Sequence, residues 1–364
     1  MSGAGTTVGR IKLAQRRKPD ESEMGRDKIH MLNKHKNTRK SRTAVFSLLA
    51  AFFCIAVSMP AFCAPSDNAK VRLMLQWMPQ SQFTGFYVAF DKGIYRKHGL
   101  DVEILRGGPD RNGLKYLQEG KTDFALMWLT SAIDTINKNI SLVNVAQIIN
   151  RSNLAITAWK ENNIYKVSDL NGCRVSVWGD PFWPAFSAFF RANDLSPEII
   201  NQNYTVNLFL RHGVEACAIM YYNEYNMIYQ AGINHDELSI FFLKDYGVNF
   251  PEDGIYCLEE TKRRNPVVCR SLAAASIEGW QYAKDHPEEA LDIVMKYVNA
   301  EKLPTNRTHM KWMLDVLIPC IFPEKEEEWE PGLLSEKAYN HTTQWMTKLN
   351  MIKNAPTYKQ FMGE

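Results

Sequence analysis

The sequence lacks any pair of cysteines at metal-binding or redox spacing. Past residue 64 it holds Cys173, Cys217, Cys257, Cys269 and Cys320, and no two of them form a C-x-x-C pair. A zinc ribbon and a thioredoxin-like redox centre are therefore excluded. An odd cysteine count leaves at least one thiol over even in an oxidising compartment, and buried free cysteines are the simplest expectation. There is no G-x-S-x-G, no H-E-x-x-H and no P-loop, so the usual hydrolase, metalloprotease and nucleotide-binding signatures are missing. Histidine is scarce at 8 residues, and His212 and His235 stand alone in loop-like sequence, so no metal centre is expected. Internal repeats and low-complexity tracts are also lacking.

The apolar run AVFSLLAAFFCIAVSM at 44–59 is short for a membrane span. A basic stretch with Lys34, Lys36, Arg39, Lys40 and Arg42 precedes it, and the small residues Ala61, Cys63 and Ala64 follow. That order reads as a secretory signal peptide cleaved after Cys63 or Ala64, with Met31 as an alternative translation start. An uncleaved anchor is the competing reading, and bulky Phe62 argues against a lipid on Cys63. The expectation is an exported protein, periplasmic or held at the cell surface. The first 64 residues carry 12 Lys/Arg and 4 Asp/Glu of the chain's 43 and 40, leaving 31 against 36 and a formal charge of −5 in place of +3. With the basicity confined to the leader, nucleic-acid binding has no electrostatic support.

About 300 residues past the leader exceed what a single core comfortably serves, which predicts two lobes. Strands are predicted at 71–76, 100–105 and 124–127. Helices are predicted at 86–95, through Leu114 and Leu117, and after Ser131 as a cap. This alternation means an α/β lobe. A crossover strand at 156–160 leads to a second series with strands at 174–178, 204–208 and 216–221 and a helix at 184–193. The strand 255–258 returns to the first lobe. Helices follow at 266–284 and 287–298, each with Pro in its first turn, and around 310–317 and 335–349. The Glu-rich run 324–330 reads as a solvated loop or helix start. The resulting division is a leader at 1–64, a first lobe at 65–160, a second at 161–255, and a return with C-terminal helices at 256–364.

The segment 75–104, LQWMPQSQFTGFYVAFDKGIYRKHGLDVEI, closely resembles the opening of a family of substrate-binding proteins. That family includes sulfonate, nitrate and thiamine-precursor receptors and shares its domain with thiamine pyrimidine synthases. GKTDFA at 120–125, DLNG at 169–172, YYNE at 221–224, and Gly279-Trp280 followed by HPEEA at 286–290 continue the resemblance in order. Each motif is weak alone; the ordered series is not. It implies an α/β, two-lobed periplasmic-binding-protein-like fold of type II, each lobe a mixed, mostly parallel sheet flanked by helices. It also implies a monomeric receptor that hands a small molecule to an ABC permease and its ATPase. The Trp-x-Pro and Thr-Gly-Phe-Tyr elements are most similar to the pyrimidine-precursor branch, which implies a flat heteroaromatic ligand between the lobes.

The residues give this physical sense. Trp77 follows a strand, so its indole can project at the carboxyl end where ligands sit in open α/β sheets, and indole stacks on an aromatic ring. Core packing is the bland alternative. Gln76 could offer an amide to a ring edge. Glu224, among Tyr221, Tyr222 and Tyr225, could accept hydrogen bonds from an aminopyrimidine, or serve only as a helix-start carboxylate. Phe182 and Trp183, after the turn at 179–181, offer aromatic walls. Asp180 stands where relatives bind anions, although its charge disfavours phosphate. Trp128, Ser131, Asn153 and Asp253 complete the candidates.

Catalysis is the serious competitor. In the synthases a lysine holds pyridoxal phosphate as a Schiff base and a histidine lies nearby, just after the Gly-Lys-x-Asp element. Here Met127 stands in the lysine's place and Ser131 in the histidine's, and neither can do that chemistry. No cofactor is expected. A sensor built on the same lobes is a third reading.

Overall fold

The structure, a computed structural model, describes residues 68–323 and 330–364. The leader, with its cleavage zone, and most of the Glu-rich run lie outside the described residues. Among those described, no helix is long and apolar enough to cross a membrane.

Strands β1 (Ala69–Met74), β2 (Leu100–Leu105), β3 (Phe124–Trp128) and β4 (Leu142–Gln147) lie in one sheet. A second sheet takes β5 (Leu154–Trp159), β6 (Arg174–Val177), β7 (Glu198–Asn201), β8 (Ala216–Met220) and β9 (Leu238–Phe242). The chain then returns β10 (Asp253–Leu258) to the first sheet. The strand orders are β2-β1-β3-β10-β4 and β7-β6-β8-β5-β9. In the first, β1 runs parallel to β2 and β3, and β10 is antiparallel to β3 and β4. In the second, β6 runs parallel to β7 and β8, and β5 is antiparallel to β8 and β9. Each lobe is thus a mixed sheet in which four of five strands point one way. The reversed strand is the one that enters or returns from the other lobe.

Burial follows position in the sheet. Strands β3, β5 and β8 are buried at every residue and read as continuous apolar runs, as strands covered on both faces do. The edge strand β2 alternates buried and exposed over its first four residues. Eight helices matter below: α1 (Thr84–Asp91), α2 (Leu129–Asn137), α3 (Trp183–Ala192), α4 (Glu224–Gln230), α5 (Pro266–Asp285), α6 (Pro287–Ala300), α7 (Arg307–Ile321) and α8 (Glu336–Lys348). Gly93, at φ 69°, takes the left-handed conformation that ends the first helical stretch before Ile94–Lys97 begins. The five cysteines are unpaired, four of them buried.

The Thr-Gly-Phe-Tyr and Gly-Trp motifs are where α1 and α5 cross. A Cβ on Gly85 would sit 2.2 Å from the ring of Trp280, and one on Gly279 would sit 2.2 Å from the carbonyl oxygen of Gly85. Trp280 is fully buried, edge-on to Phe86 at 6.3 Å. Glycine at both positions lets the helix backbones approach, and the indole fills the space beside them.

Several sequence expectations need correction. β5 pairs with β8 and β9, so the chain leaves the first lobe over 148–153 and not near 160. It returns over 243–252 and not near 255. The strand expected at 204–208 is absent: β7 starts six residues earlier, at Glu198, and a helical turn occupies Asn207–Leu210. Ser131 lies inside the first turn of α2, which Trp128 precedes as the cap residue.

The two crossing segments are tied to one another. The amides of Ile148 and Ile149 donate to the Asp253 carbonyl at 2.9 and 3.1 Å, and the Glu252 amide donates to the Ile149 carbonyl at 2.9 Å. The buried Glu252 carboxyl accepts from the Ser152 hydroxyl at 3.1 Å and from the Asn153 amide. Burial drives its pKa up to about 8. Asn153 therefore belongs to the hinge.

Candidate functional site

The carboxyl ends of the parallel strands of both sheets face one cleft of about 160 Å³. From the first lobe come Gln76 and Trp77 just past β1, Gln80 and Gln82 in the turn that follows, and Trp128 at the end of β3. From the second come Trp178 past β6, Phe182 before α3, Tyr204 in the loop after β7, and Met220, Tyr222, Asn223 and Glu224 between β8 and α4. This is where ligands sit in open α/β sheets.

The walls are aromatic and come from both lobes. Trp77 meets Tyr204 across the cleft with ring centroids 5.3 Å apart, and Trp128 meets Phe182 edge-on at 4.9 Å. Phe182 also leans on Trp178 at 5.3 Å. Besides these ring contacts, the Thr130 hydroxyl of α2 donates to the Pro181 carbonyl of the second lobe at 2.9 Å. Tyr204 itself is largely exposed.

Few polar groups reach this apolar space, and they are specifically held. Glu224 is buried at the start of α4. Its carboxylate accepts from the Met220 amide at 2.9 Å and from the Asn223 side-chain amide at 2.7 Å. Burial nonetheless raises its pKa to about 7, the two hydrogen bonds opposing that shift only in part. On the first lobe, Gln80 donates to Gln82 at 2.6 Å and Gln82 donates to buried Asp253 at 2.6 Å. Burial raises Asp253 to about 7 as well. The side-chain oxygens of Gln76 and Asp253 (Oε1 and Oδ1) are buried without a hydrogen-bond partner.

Helix α7 braces the second-lobe side. The Trp312 indole donates to the Tyr221 carbonyl at 3.1 Å. The His309 ring lies 2.9 Å from the Asn223 oxygen through Nε2 and 2.8 Å from the Asn226 oxygen through Nδ1.

Gln76, Trp77, Trp128, Phe182, Tyr222 and Glu224, all candidates from sequence, are brought together in the cleft. Asp253 lies behind it and touches it through Gln82. Five candidates lie elsewhere, Asn153 in the hinge among them. Tyr221 stacks on Tyr225 at 4.9 Å within the second lobe, because consecutive residues leaving a strand face opposite sides and Tyr222 takes the cleft side. Trp183 opens α3 about 100° around the helix from Phe182 and packs on the core. Ser131 and the exposed Asp180 line a side chamber of about 400 Å³ beside the cleft. Gln80, Gln82, Trp178, Tyr204, Met220 and Asn223 also line the cleft and were not among the candidates. Of these, Gln80, Gln82 and Asn223 stand inside motifs noted above, but nothing in their spacing marks them as ligand-facing.

The family model described as "NMT1: NMT1/THI5 like" matches residues 80–290. The chain belongs to the NMT1/THI5-like family. As a member of it, the chain is 24% identical over 283 residues to the formylaminopyrimidine-binding protein of Halalkalibacterium halodurans, covering 75% of this chain and 84% of that protein. It is 23% identical over 335 residues to the riboflavin-binding protein RibY of Chloroflexus aurantiacus, covering 86% and 94%. Among solved structures it is similar to the periplasmic aliphatic sulphonate binding protein SsuA of Escherichia coli. There the TM-score is 0.63 at 14% identity, over 80% of this chain and 96% of that one. This NMT1/THI5-like chain therefore has the periplasmic-binding-protein fold that the motif series implied.

Proposed function

We propose that this protein is the exported substrate-binding component of an ABC importer and that it grips an aminopyrimidine precursor of thiamine between its lobes. The observation that carries this reading is the meeting of aromatic walls, Trp77 and Tyr204 among them, with the buried Glu224 carboxyl in a cleft of about 160 Å³. An apolar cavity of roughly 150 Å³ holds a single benzene ring. A single heteroaromatic ring matches that scale. Indole and phenol faces bind a flat ring, and the carboxylate accepts from its exocyclic amine. A sulfonate or nitrate wants cationic partners, and among the described residues no Lys or Arg lines this cleft. The ligand-loaded monomer would then dock on a permease driven by its ATPase.

The reading excludes catalysis of the synthase kind. Met127 lies buried in β3 and carries no amine for a Schiff base, and Ser131 has no imidazole. The test is calorimetry of the chain from residue 65 onward against aminopyrimidines, riboflavin, an alkanesulfonate and nitrate. Heat with the aminopyrimidines is expected. Heat with the sulfonate or nitrate alone would overturn the ligand and leave the fold intact. Incubation with pyridoxal phosphate should produce no aldimine absorbance, and such a band would sink the non-enzymatic reading.

A further inference from the structure

A second chamber of about 480 Å³ meets the cleft at Trp77, Gln80 and Asn223, which line both. Fourteen residues line it, and none is Asp, Glu, Lys or Arg. With 23% of the chain charged, about three charged residues would be expected among fourteen. The chamber on the other side of the cleft, by contrast, carries Arg111, Asp134, Lys138 and Asp180.

What lines the uncharged chamber is either soft and apolar, as Met227, Leu303 and Met310 are, or neutral and hydrogen-bonding. Gln230 and Asn306 supply amides, while both ring nitrogens of His309 are taken by Asn223 and Asn226. Burial holds the His309 pKa below its usual value. The hydroxyl oxygen of Thr305 is buried there without a hydrogen-bond partner. A buried polar atom left unpaired is an acceptor and donor waiting for a ligand group or an ordered water.

We infer that this chamber is a subsite for an uncharged polar arm on the ring, a hydroxyalkyl or amide substituent, and that it rejects a phosphorylated one. This rests on the aminopyrimidine reading of the cleft. An anion entering the chamber would lose its hydration and meet no cation, whereas a hydroxyl or formamide would be satisfied by Thr305 and the amides. The ring would lie on Trp77 and the arm would pass between Gln80 and Asn223.

The test compares three probes: an aminopyrimidine without an arm, the same ring with a hydroxymethyl or formylaminomethyl arm, and the ring with a phosphate ester arm. The neutral arm should tighten binding roughly tenfold over the bare ring, and the phosphate should weaken it at least tenfold relative to the neutral arm. Two variants at exposed positions refine this. Ala231→Trp fills the chamber and should erase the gain from the neutral arm while sparing the bare ring. Met227→Lys places a cation there and should recover binding of the phosphate ester. If the bare ring binds but the arms make no difference, or if the phosphate binds as tightly as the neutral arm, the subsite is wrong and the cleft reading stands. If no pyrimidine binds, bare ring included, both are overturned.

Discussion

Ligand affinity should rise with pH through the titration of Glu224. In the free protein this carboxyl is raised to about 7 by burial, so it is about one-tenth ionised at pH 6 and nine-tenths ionised at pH 8. An exocyclic amine donates and needs the ionised form as acceptor. Binding at pH 6 must therefore first remove a proton from most molecules. The dissociation constant should fall about tenfold between pH 6 and pH 8, a change of ~1.4 kcal/mol. Calorimetry in two buffers of different ionisation enthalpy should show about half a proton released per ligand at pH 7. Glu224→Gln keeps the volume and removes the titration, so it should bind more weakly at pH 8 and lose the slope. A slope that survives in Glu224→Gln would refute the reasoning. An affinity that rises as pH falls would mean that the carboxyl donates its own proton to the ring.

Trp77→Ala removes one wall of the slot and should weaken aminopyrimidine binding about tenfold, ~1.5 kcal/mol, by fluorescence titration or calorimetry; unchanged affinity would place the ring elsewhere. Glu224, Glu252 and Asp253 all have folded pKa values raised above their unfolded ones, to about 7, 8 and 7. As pH rises the unfolded chain loses these protons first, so the stability they confer is present at low pH and is lost as pH climbs through about 8. The ligand-free protein should melt at a higher temperature at pH 5 than at pH 8, with a loss of about 3 kcal/mol from Glu224 alone. A flat or inverted profile in scanning calorimetry would contradict the buried placement of these groups. Gly85→Ala puts a methyl into the Trp280 ring and should cost about 1–3 kcal/mol, lowering Tm by several degrees while leaving ligand affinity unchanged.

The two-lobed fold was legible because family motifs recur in order. The structure shows that some of those motifs are packing devices: Gly85, Gly279 and Trp280 build a helix crossing and never reach the cleft. Trp77 and Glu224 were legible as cleft-lining residues because each follows an apolar strand and so stands at its carboxyl end. Tyr204 was hidden by apolar neighbours that suggested a strand, whereas the neighbouring strand is set by pairing of β7 with β6, a long-range fact. Tyr221 and Tyr222 could not be told apart without the direction in which β8 leaves its sheet. The lobe boundary was misplaced because β5, buried along its whole length, carries no mark of which sheet it joins.

Helix α7 touches the turn Ser81–Phe83 of the first lobe and α4 of the second, and its His309 and Trp312 grip residues next to Glu224. The two crossing segments are thus not the sole link between the lobes: a helix fastened on both sides restrains how Trp77 and Tyr204 can be aligned. Much of the ordering cost of ligand capture is then met when the chain folds, and a small molecule with few contacts can still be held.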